Sequence, residues 1–331
     1  MKIALHRLFS RLFHISTVLL LLSVPFLSSC SKDPVEPLRI ASSPWPGYEP
    51  LYLARDLGYL TRQQANVFEL PSADISIESF RNRSADMATL TLDETLDLLA
   101  GGVKLRVLFV VDGSNGADAV MATPDVKTLA DLKGRRIVIE NLPLGVYMLS
   151  RTLSAAKLTR ADVQVIPSAE SKHLEMYKQG KGDAFITFDP FKTQLAALGA
   201  HVIFDSSKIP NEIFDLMVVH EDVFQARRKE VCSVARQWFR TLEYMHQSPD
   251  DASRRIAKRL GVSQPEYQAM AGSISTPTRA ENLQLISGKT PAILTPANKL
   301  VQVMLKESQL KHSVDFHLAL DADIAACIKN E

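Results

Sequence analysis

From Leu38 onward the apolar positions come in short runs, separated by stretches in which they recur at helical spacing. Leu38–Ala41, Val67–Leu70, Met87–Leu92 and Leu105–Val111 predict strands, the last a continuous apolar run of the kind buried on both faces. Leu51, Ala54 and Leu57 share one helical face, with Gly58 as the stop. Helices follow near 75–83 and over Glu94–Ala100, the second ended by Gly101 and Gly102. A second set begins with a short helix at Leu129–Gly134. Then come strand Arg135–Glu140, helix Gly145–Ala156, strand Val163–Ile166, helix Ala169–Gln179, strand Ala184–Phe188, helix Phe191–Leu198, and strands Val202–Phe204 and Phe214–Val219. Beyond Glu221 the spacing is mostly helical, near 222–247, 250–260, 264–271 and 296–309. Short strands alternating with helices predict an α/β fold with parallel pairing and flanking helices.

The two sets echo each other. Ile40 to Tyr48 is a strand, a proline-bearing turn, a glycine and an aromatic opening a helix, and Ile137 to Tyr147 repeats that order. Asp86-Met-Ala-Thr-Leu-Thr-Leu-Asp93 is echoed by Asp183-Ala-Phe-Ile-Thr-Phe-Asp189. The chain therefore reads as two similar lobes, with crossings expected near 119–124 and 209–216.

The first residues follow a different pattern. Lys2, Arg7 and Arg11 precede an apolar run from Ile15 to about Phe26, and no acidic residue appears before Asp33. The run is short of the roughly 20 apolar residues of a membrane span and reads as an export signal. It ends in Leu27-Ser28-Ser29-Cys30, which resembles a bacterial lipobox and implies lipid on Cys30. Several acyl chains there would give a stable membrane anchor. Residues 30–37 then form the lipidated end and a polar, proline-bearing tether of at most about 25 Å at ~3.5 Å per residue. Ser31, by the enteric pattern, favours the outer over the inner membrane.

Composition adds limits. With 331 residues, 46% hydrophobic and 23% charged, the chain is long enough for two compact lobes. Loss of residues 1–29 removes three basic and no acidic residues, taking the formal charge from +1 to −2. That balance gives no support for nucleic-acid binding. Gly-x-Ser-x-Gly, His-Glu-x-x-His, P-loop and paired Cys-x-x-Cys motifs are absent. His312 and His317, five apart, suit no shared metal on one helix face. No enzyme, cofactor or metal is expected. Cys232 and Cys327 lie far apart in sequence, which leaves open a disulfide in an oxidising compartment or two buried thiols.

In open α/β sheets ligands bind beyond the carboxyl ends of strands. That rule selects Pro44–Glu49, Leu92–Glu94, Asn141–Tyr147 and Phe188–Pro190. The first turn holds Trp45, Gly47 and Tyr48. Trp45 reads either as a pocket wall or as a plug of the lobe core. Glu49 reads as the first residue of a helix. The segment Asp112–Asp118 is small and polar and suits a crossing, where Asp112, Ser114 and Asn115 would offer hydrogen bonds. Asp93, Asn141, Leu144, Gly145, Asp189 and Asp215 complete the candidate ligand-facing set.

Three stretches carry a resemblance to a known family. IASSPWPGYEPLYLARDLGYL (40–60), DGSNGADA (112–119) and TFDPFKTQLAALGAHVIFDSSKIP (187–210) resemble the nitrate/sulfonate/taurine type of ABC-importer substrate-binding protein, some of whose wider relatives bind thiamine pyrimidine precursors. Asn282–Gly288 resembles that family's C-terminal lobe. The resemblance implies a type II periplasmic-binding fold: two lobes, each a mixed sheet flanked by helices, joined by a two-segment hinge. Lobe 1 would take 38–120 and 213–331, lobe 2 121–212. It implies a monomeric, extracytoplasmic receptor that hands a small molecule to an ABC permease and its ATPase. It also implies that Trp45, Gly47, Tyr48, Asp112, Ser114, Asn115, Gly145 and Asp189 face the ligand. The family's sulfonate and nitrate binders carry Ser or Thr after the glycine that opens the lobe 2 helix. Here the run is Asn141-Leu-Pro-Leu-Gly-Val, without a hydroxyl, and neither turn holds Arg or Lys. Aromatic and carboxylate side chains there suit a neutral or cationic ring equally well. Two other readings stay open: a ligand-sensing lipoprotein that partners a signalling receptor, and an enzyme on the same fold.

Overall fold

The computed structural model describes residues 36–320 and 322–329. The expected export signal, Cys30 and most of the tether lie outside the described residues. Residues 37–331 form one compact unit, built on two sheets. The first contains β1 (Leu38–Ser42), β2 (Ala65–Glu69), β3 (Met87–Thr91), β4 (Leu105–Ser114), β10 (Phe214–His220) and the two-residue β11 (Ile274–Ser275), in the order β2-β1-β3-β10-β4-β11. The second contains β5 (Ala119–Ala122), β6 (Arg136–Ile139), β7 (Gln164–Pro167), β8 (Ala184–Thr187) and β9 (His201–Asp205), in the order β7-β6-β8-β5-β9.

Both sheets are mixed, and they are built alike. β1 pairs in parallel with β2 and β3, as β6 does with β7 and β8. In each sheet the fourth strand is antiparallel and comes from across the crossing: β10 joins β3 and β4, and β5 joins β8 and β9. The chain thus leaves the first sheet at 115–118 and returns over 206–213. β5 was not anticipated from the sequence, so the first passage lies ahead of the expected 119–124. Four small apolar residues after Ser-Asn-Gly-Ala-Asp carry too little periodicity to announce a strand. Asp215, expected in the return crossing, is already in β10.

The internal echo has a physical counterpart. Arg39 on β1 donates backbone and side-chain N–H groups to Asp86 at 2.9 and 2.7 Å. Arg136 on β6 does the same to Asp183, at 2.8 Å in both bonds. Each arginine also reaches a carbonyl in the preceding helix-to-strand turn, Arg83 or Gly180. Both of those residues have left-handed backbone, with φ of 67° and 63°. One clamp, used twice, closes the turn in each half.

The C-terminal helices wrap the first sheet. Trp238, from the Arg228–Gln247 helix, stacks on Phe109 of β4 with 5.2 Å between centroids. Asn282, fully buried, uses its side-chain amide to bond the N–H and C=O of Val110 at 2.7 and 2.9 Å. It thereby satisfies the β4 backbone beyond the end of short β11. Cys232 and Cys327 are joined as a disulfide with Cα atoms 4.7 Å apart, fixing the terminal Ala322–Ile328 helix to the Arg228–Gln247 helix. Among the described residues no helix is long and apolar enough to cross a membrane.

Candidate functional site

Three neighbouring strands deliver oxygen-bearing side chains to one end of the first sheet. Thr91 on β3, Asp215 on β10 and Asp112 on β4 are in register, so their side chains leave the same face. Like charges directly opposite one another repel, and both aspartates are buried. Burial raises Asp215 well above the usual carboxylate range, and the Asp112 charge adds to it. Burial also lifts Asp112, to about 7, against the opposing hydrogen bond from Trp45.

Trp45 closes over this row. Its indole N–H donates to Asp112 Oδ2 at 3.0 Å. The turn Pro46–Tyr48 brings the backbone against that pair, and a Cβ at Gly47 would overlap both Asp112 Oδ2 and Trp45 Nε1. Glycine is required there for close approach rather than for an unusual φ. From the second sheet Phe188, just past β8, meets Trp45 edge to face at 5.6 Å, a favourable aromatic geometry. Tyr48 lies 6.5 Å from Trp45. The strand-end turns of the two sheets therefore face each other, and Trp45 both joins the buried core and lines the space between them.

The space between them is a cavity of about 40 Å³. Trp45, Tyr48, Leu144 and Asp215, all expected from the sequence, line it. Glu94, Asp118, Glu140, Phe188 and Ile213 line it as well and were not in the expected set. Larger hollows of 570 and 870 Å³ are lined mainly by helix residues and draw on the first lobe alone. The strand-end rule and the convergence of both lobes favour the smaller space.

The remaining expected residues do not line this cavity. Asp93 is buried but does not line the cavity; its neighbour Glu94 does. Thr91 and Glu94 form a reciprocal N-terminal cap of the Leu92–Ala100 helix, which turns Glu94 inward. Gly145 lets the Pro143–Ala156 helix approach the end of β6, since a Cβ there would overlap the Glu140 carbonyl. Ser114 is a hinge residue: its hydroxyl meets that of Ser206 at 2.7 Å, tying the two passages together, and accepts from the Asp118 N–H at 3.1 Å. Asn115 and Asn141 are exposed. Asp189 caps the Phe191–Ala197 helix through Thr193, at 3.0 Å to its N–H, and pairs with Lys192 at 3.1 Å. Glu49 does open a helix, but it is buried and held by Arg259.

The carboxyl-bearing and basic side chains that line the cavity are all acids. Glu94 and Asp215 face it from the first lobe, Glu140 from the second and Asp118 from the first passage between them, and none of its lining residues is Arg, Lys or His. Burial, then the Asp93 charge, raises Glu94 to about 8. Burial raises Asp118 to about 6, although the Ser114 hydroxyl and Lys192 oppose it. Burial and the adjacent Glu170 carboxyl hold Glu140 far above the carboxylate range. Carboxyls so placed take up protons or a counter-charge. Sequence reasoning missed Glu94 and Glu140 because each sits at an element end, where an acid is ordinarily a helix cap or a solvated terminus. The rule that selected the turns did include the stretches holding Glu94 and Phe188.

The model of the NMT1-like family matches residues 31–261. The chain belongs to the NMT1-like family. No curated protein matches this NMT1-like chain by sequence. Its fold recurs in the alkanesulfonate-binding protein SsuA from Xanthomonas axonopodis pv. citri bound to MOPS. That match has a TM-score of 0.71 at 16% identity, over 84% of this chain and 95% of that one. The periplasmic aliphatic sulphonate binding protein SsuA from Escherichia coli gives 0.71 at 16%, over 88% and 99%. The desulfurization enzyme DszB gives 0.65 at 16%, over 88% and 99%. At such identities the likeness is one of fold: this NMT1-like chain has the two-lobed architecture of periplasmic binding proteins. The same fold also serves an enzyme.

Proposed function

We propose that the protein is the extracytoplasmic solute-binding component of an ABC import system, which captures a small molecule between its lobes by hinge closure. The observation that carries this reading is the meeting of Trp45 and Phe188, strand-end aromatics from different sheets, over a shared cavity. Among the described residues the chain passes between the sheets only at 115–118 and 206–213, and the Ser114–Ser206 contact pins these passages side by side. Two adjacent passages let one lobe swing against the other while the sheets stay rigid. Ligand would favour the closed form by touching both lobes at once. The shared fold with the two SsuA proteins supports the same reading. The lobes would be 37–114 with 214–331, and 119–205. Cys30 would carry the lipid anchor, facing the protein to the periplasm.

Calorimetry against a panel of sulfonates, nitrate, amines and aromatic heterocycles, followed by small-angle scattering, tests this. A bound compound should reduce the radius of gyration and be recovered chemically unchanged. Binding without compaction would sink the receptor reading. Conversion of the compound would favour an enzyme, a reading that the fold of DszB and the raised carboxyls keep specific. Radiolabelled palmitate should label the wild-type chain and not Cys30→Ser.

A further inference from the structure

The groove of 570 Å³ on the first lobe lies between the Glu49–Asp56 and Pro249–Leu260 helices and takes Arg62 from the turn before β2. Its lining holds five cations, Arg55, Arg62, Arg255, Lys258 and Arg259, against two carboxylates, Glu49 and Asp56. Both acids are already bound by arginine: Glu49 by Arg259, and Asp56 by Arg255 at 2.7 Å. Asp251 and Glu69 beside the groove are engaged by the same two arginines. Arg55, Arg62 and Lys258 are exposed and form no ion pair among the described residues. Unpaired surface cations are ordinary by themselves; the entry point of the chain singles these out.

The first strand begins at Leu38, whose N–H donates to the Gln64 carbonyl at 3.0 Å. Gln64 closes the turn that carries Arg62: its N–H meets the Thr61 carbonyl at 3.0 Å, and its side chain accepts from the Thr61 N–H at 2.9 Å. The Arg62 end of the groove is thus the place from which residues 31–37 lead away to Cys30. That stretch reaches at most about 25 Å. With lipid on Cys30 the groove stays within that reach of a bilayer, at an effective concentration in the millimolar range. The stretch itself holds Lys32 against Asp33 and Glu36, so positive charge beside the anchor comes from the fold. Trp45 lies beyond the other end of β1, so a surface met at Arg62 leaves the cleft open.

We propose that this groove seats the phosphodiester headgroups of anionic phospholipid and lays the first lobe on the membrane. The inference goes beyond the receptor reading and rests on the lipid anchor at Cys30. Arg55 and Arg62 offer forked donors that match phosphate oxygens, and Lys258 adds a point charge. Each basic residue near an anionic surface strengthens attachment about fivefold, and the attraction fades over a Debye length of about 8 Å. Three unpaired cations therefore give a weak, reversible contact, from which the protein lifts off to meet a permease. The second lobe contributes nothing to the groove and stays free to swing.

Residues 37–331 form one compact unit, so the chain from Ser31 tests the groove without its anchor. At millimolar lipid and about 50 mM salt it should sediment with vesicles containing phosphatidylglycerol and not with phosphatidylcholine vesicles, and about 0.5 M salt should release it. Arg55→Gln, Arg62→Gln and Lys258→Gln should each weaken partitioning about fivefold. Lys127→Gln, an equally exposed cation of the second lobe, should leave it unchanged. Equal sedimentation with both vesicles, or an equal loss from Lys127→Gln, would overturn the groove. Inorganic phosphate that binds by calorimetry and strips the protein from vesicles at matched ionic strength would make this a free-anion site and overturn the membrane contact. Palmitate labelling of the full chain decides the anchor separately. Label without vesicle binding keeps the anchor and overturns the groove; vesicle binding without label keeps the headgroup site and overturns the anchor.

Discussion

Tyr147 in the second lobe donates its hydroxyl proton to Glu212 Oε2, in the return passage, at 2.5 Å. Glu212 is also the acceptor for Arg151, at 2.8 Å, and for Lys299, which comes from the Leu294–Lys306 helix packed on the first lobe. One carboxylate thus joins both lobes to the passage between them. Burial pulls its pKa up, but the bonds from Lys299 and Tyr147 and the Arg151 charge win, so it stays ionised below the usual value.

Removing that charge should loosen the hinge. Glu212→Gln leaves two cations short of an acceptor and should cost about 1.5–3 kcal/mol, the range for hydrogen bonds to charged groups. Tyr147→Phe should cost about 1 kcal/mol. Urea unfolding measures both. A Glu212→Gln loss under about 0.5 kcal/mol, the level of an ordinary surface change, would show that the node is ornamental.

The turn at Gly47 admits no side chain. Gly47→Ala must displace either Trp45 or Asp112, an overpacking expected to cost about 1–3 kcal/mol. The protein has only one other tryptophan, Trp238, which is buried far along the chain against Phe109. The emission spectrum of a Trp238→Phe background therefore reports Trp45. Gly47→Ala in that background should red-shift it as the indole loses Asp112 and gains water. An unshifted spectrum with native stability would mean the turn adapts without moving Trp45.

Much of this arrangement was legible in the chain, and the reasons differ by element. β3 is buried at every position and β4 at all but Arg106, and Val107–Val111 shows in the chain as an unbroken apolar run. The repeated turn pattern pointed to two lobes, because each copy needs its own arginine clamp and proline-bearing strand end. β5 and β11 did not show, being four and two residues long and defined by the strands beside them. Trp45, Tyr48, Leu144 and Asp215 were found because aromatic and strand-end positions narrow the choices. Glu140 and Asp118 were not, because an acid at an element end looks the same whether it meets water or another lobe. Ser114 was read as a ligand donor; only the fold reveals Ser206 opposite it, since they are 92 positions apart.

The disulfide supplies a third test. Cys232 and Cys327 close a loop with a sequence separation of 95. Constraint of the unfolded chain by such a loop is worth about 2–4 kcal/mol in typical cases. Denaturant unfolding with and without reductant should differ by that amount, and the Cys232→Ser, Cys327→Ser double variant should be insensitive to reductant. Equal midpoints with and without reductant would mean that the crosslink adds no stability.

The buried acids also set the pH at which the ligand-free protein is most stable. Desolvation raises Asp93 and Asp112 to about 7, Glu94 to about 8 and Asp118 to about 6 in the fold. Unfolded, they titrate near 4. Between those values the native chain holds more protons than the unfolded one, so stability falls as pH rises from about 4 to 8. The opposite limb comes from groups that prefer their charged or neutral form in the fold at acid pH. Asp251 is lowered to about 2 by hydrogen bonds from Tyr244 and Arg255. Asp183 is lowered by Arg136, and buried His173 is lowered to about 4 by desolvation. The carboxylates lose their contribution as pH falls through their folded values, and His173 loses its own between about 6.5 and 4. Melting temperature followed from pH 3 to 9 should peak near pH 4 and decline through pH 5–8. That is the reverse of a protein whose carboxylates are all paired. A melting temperature that climbs from pH 6 to 8 would mean that the buried acids are already neutralised by groups of the protein.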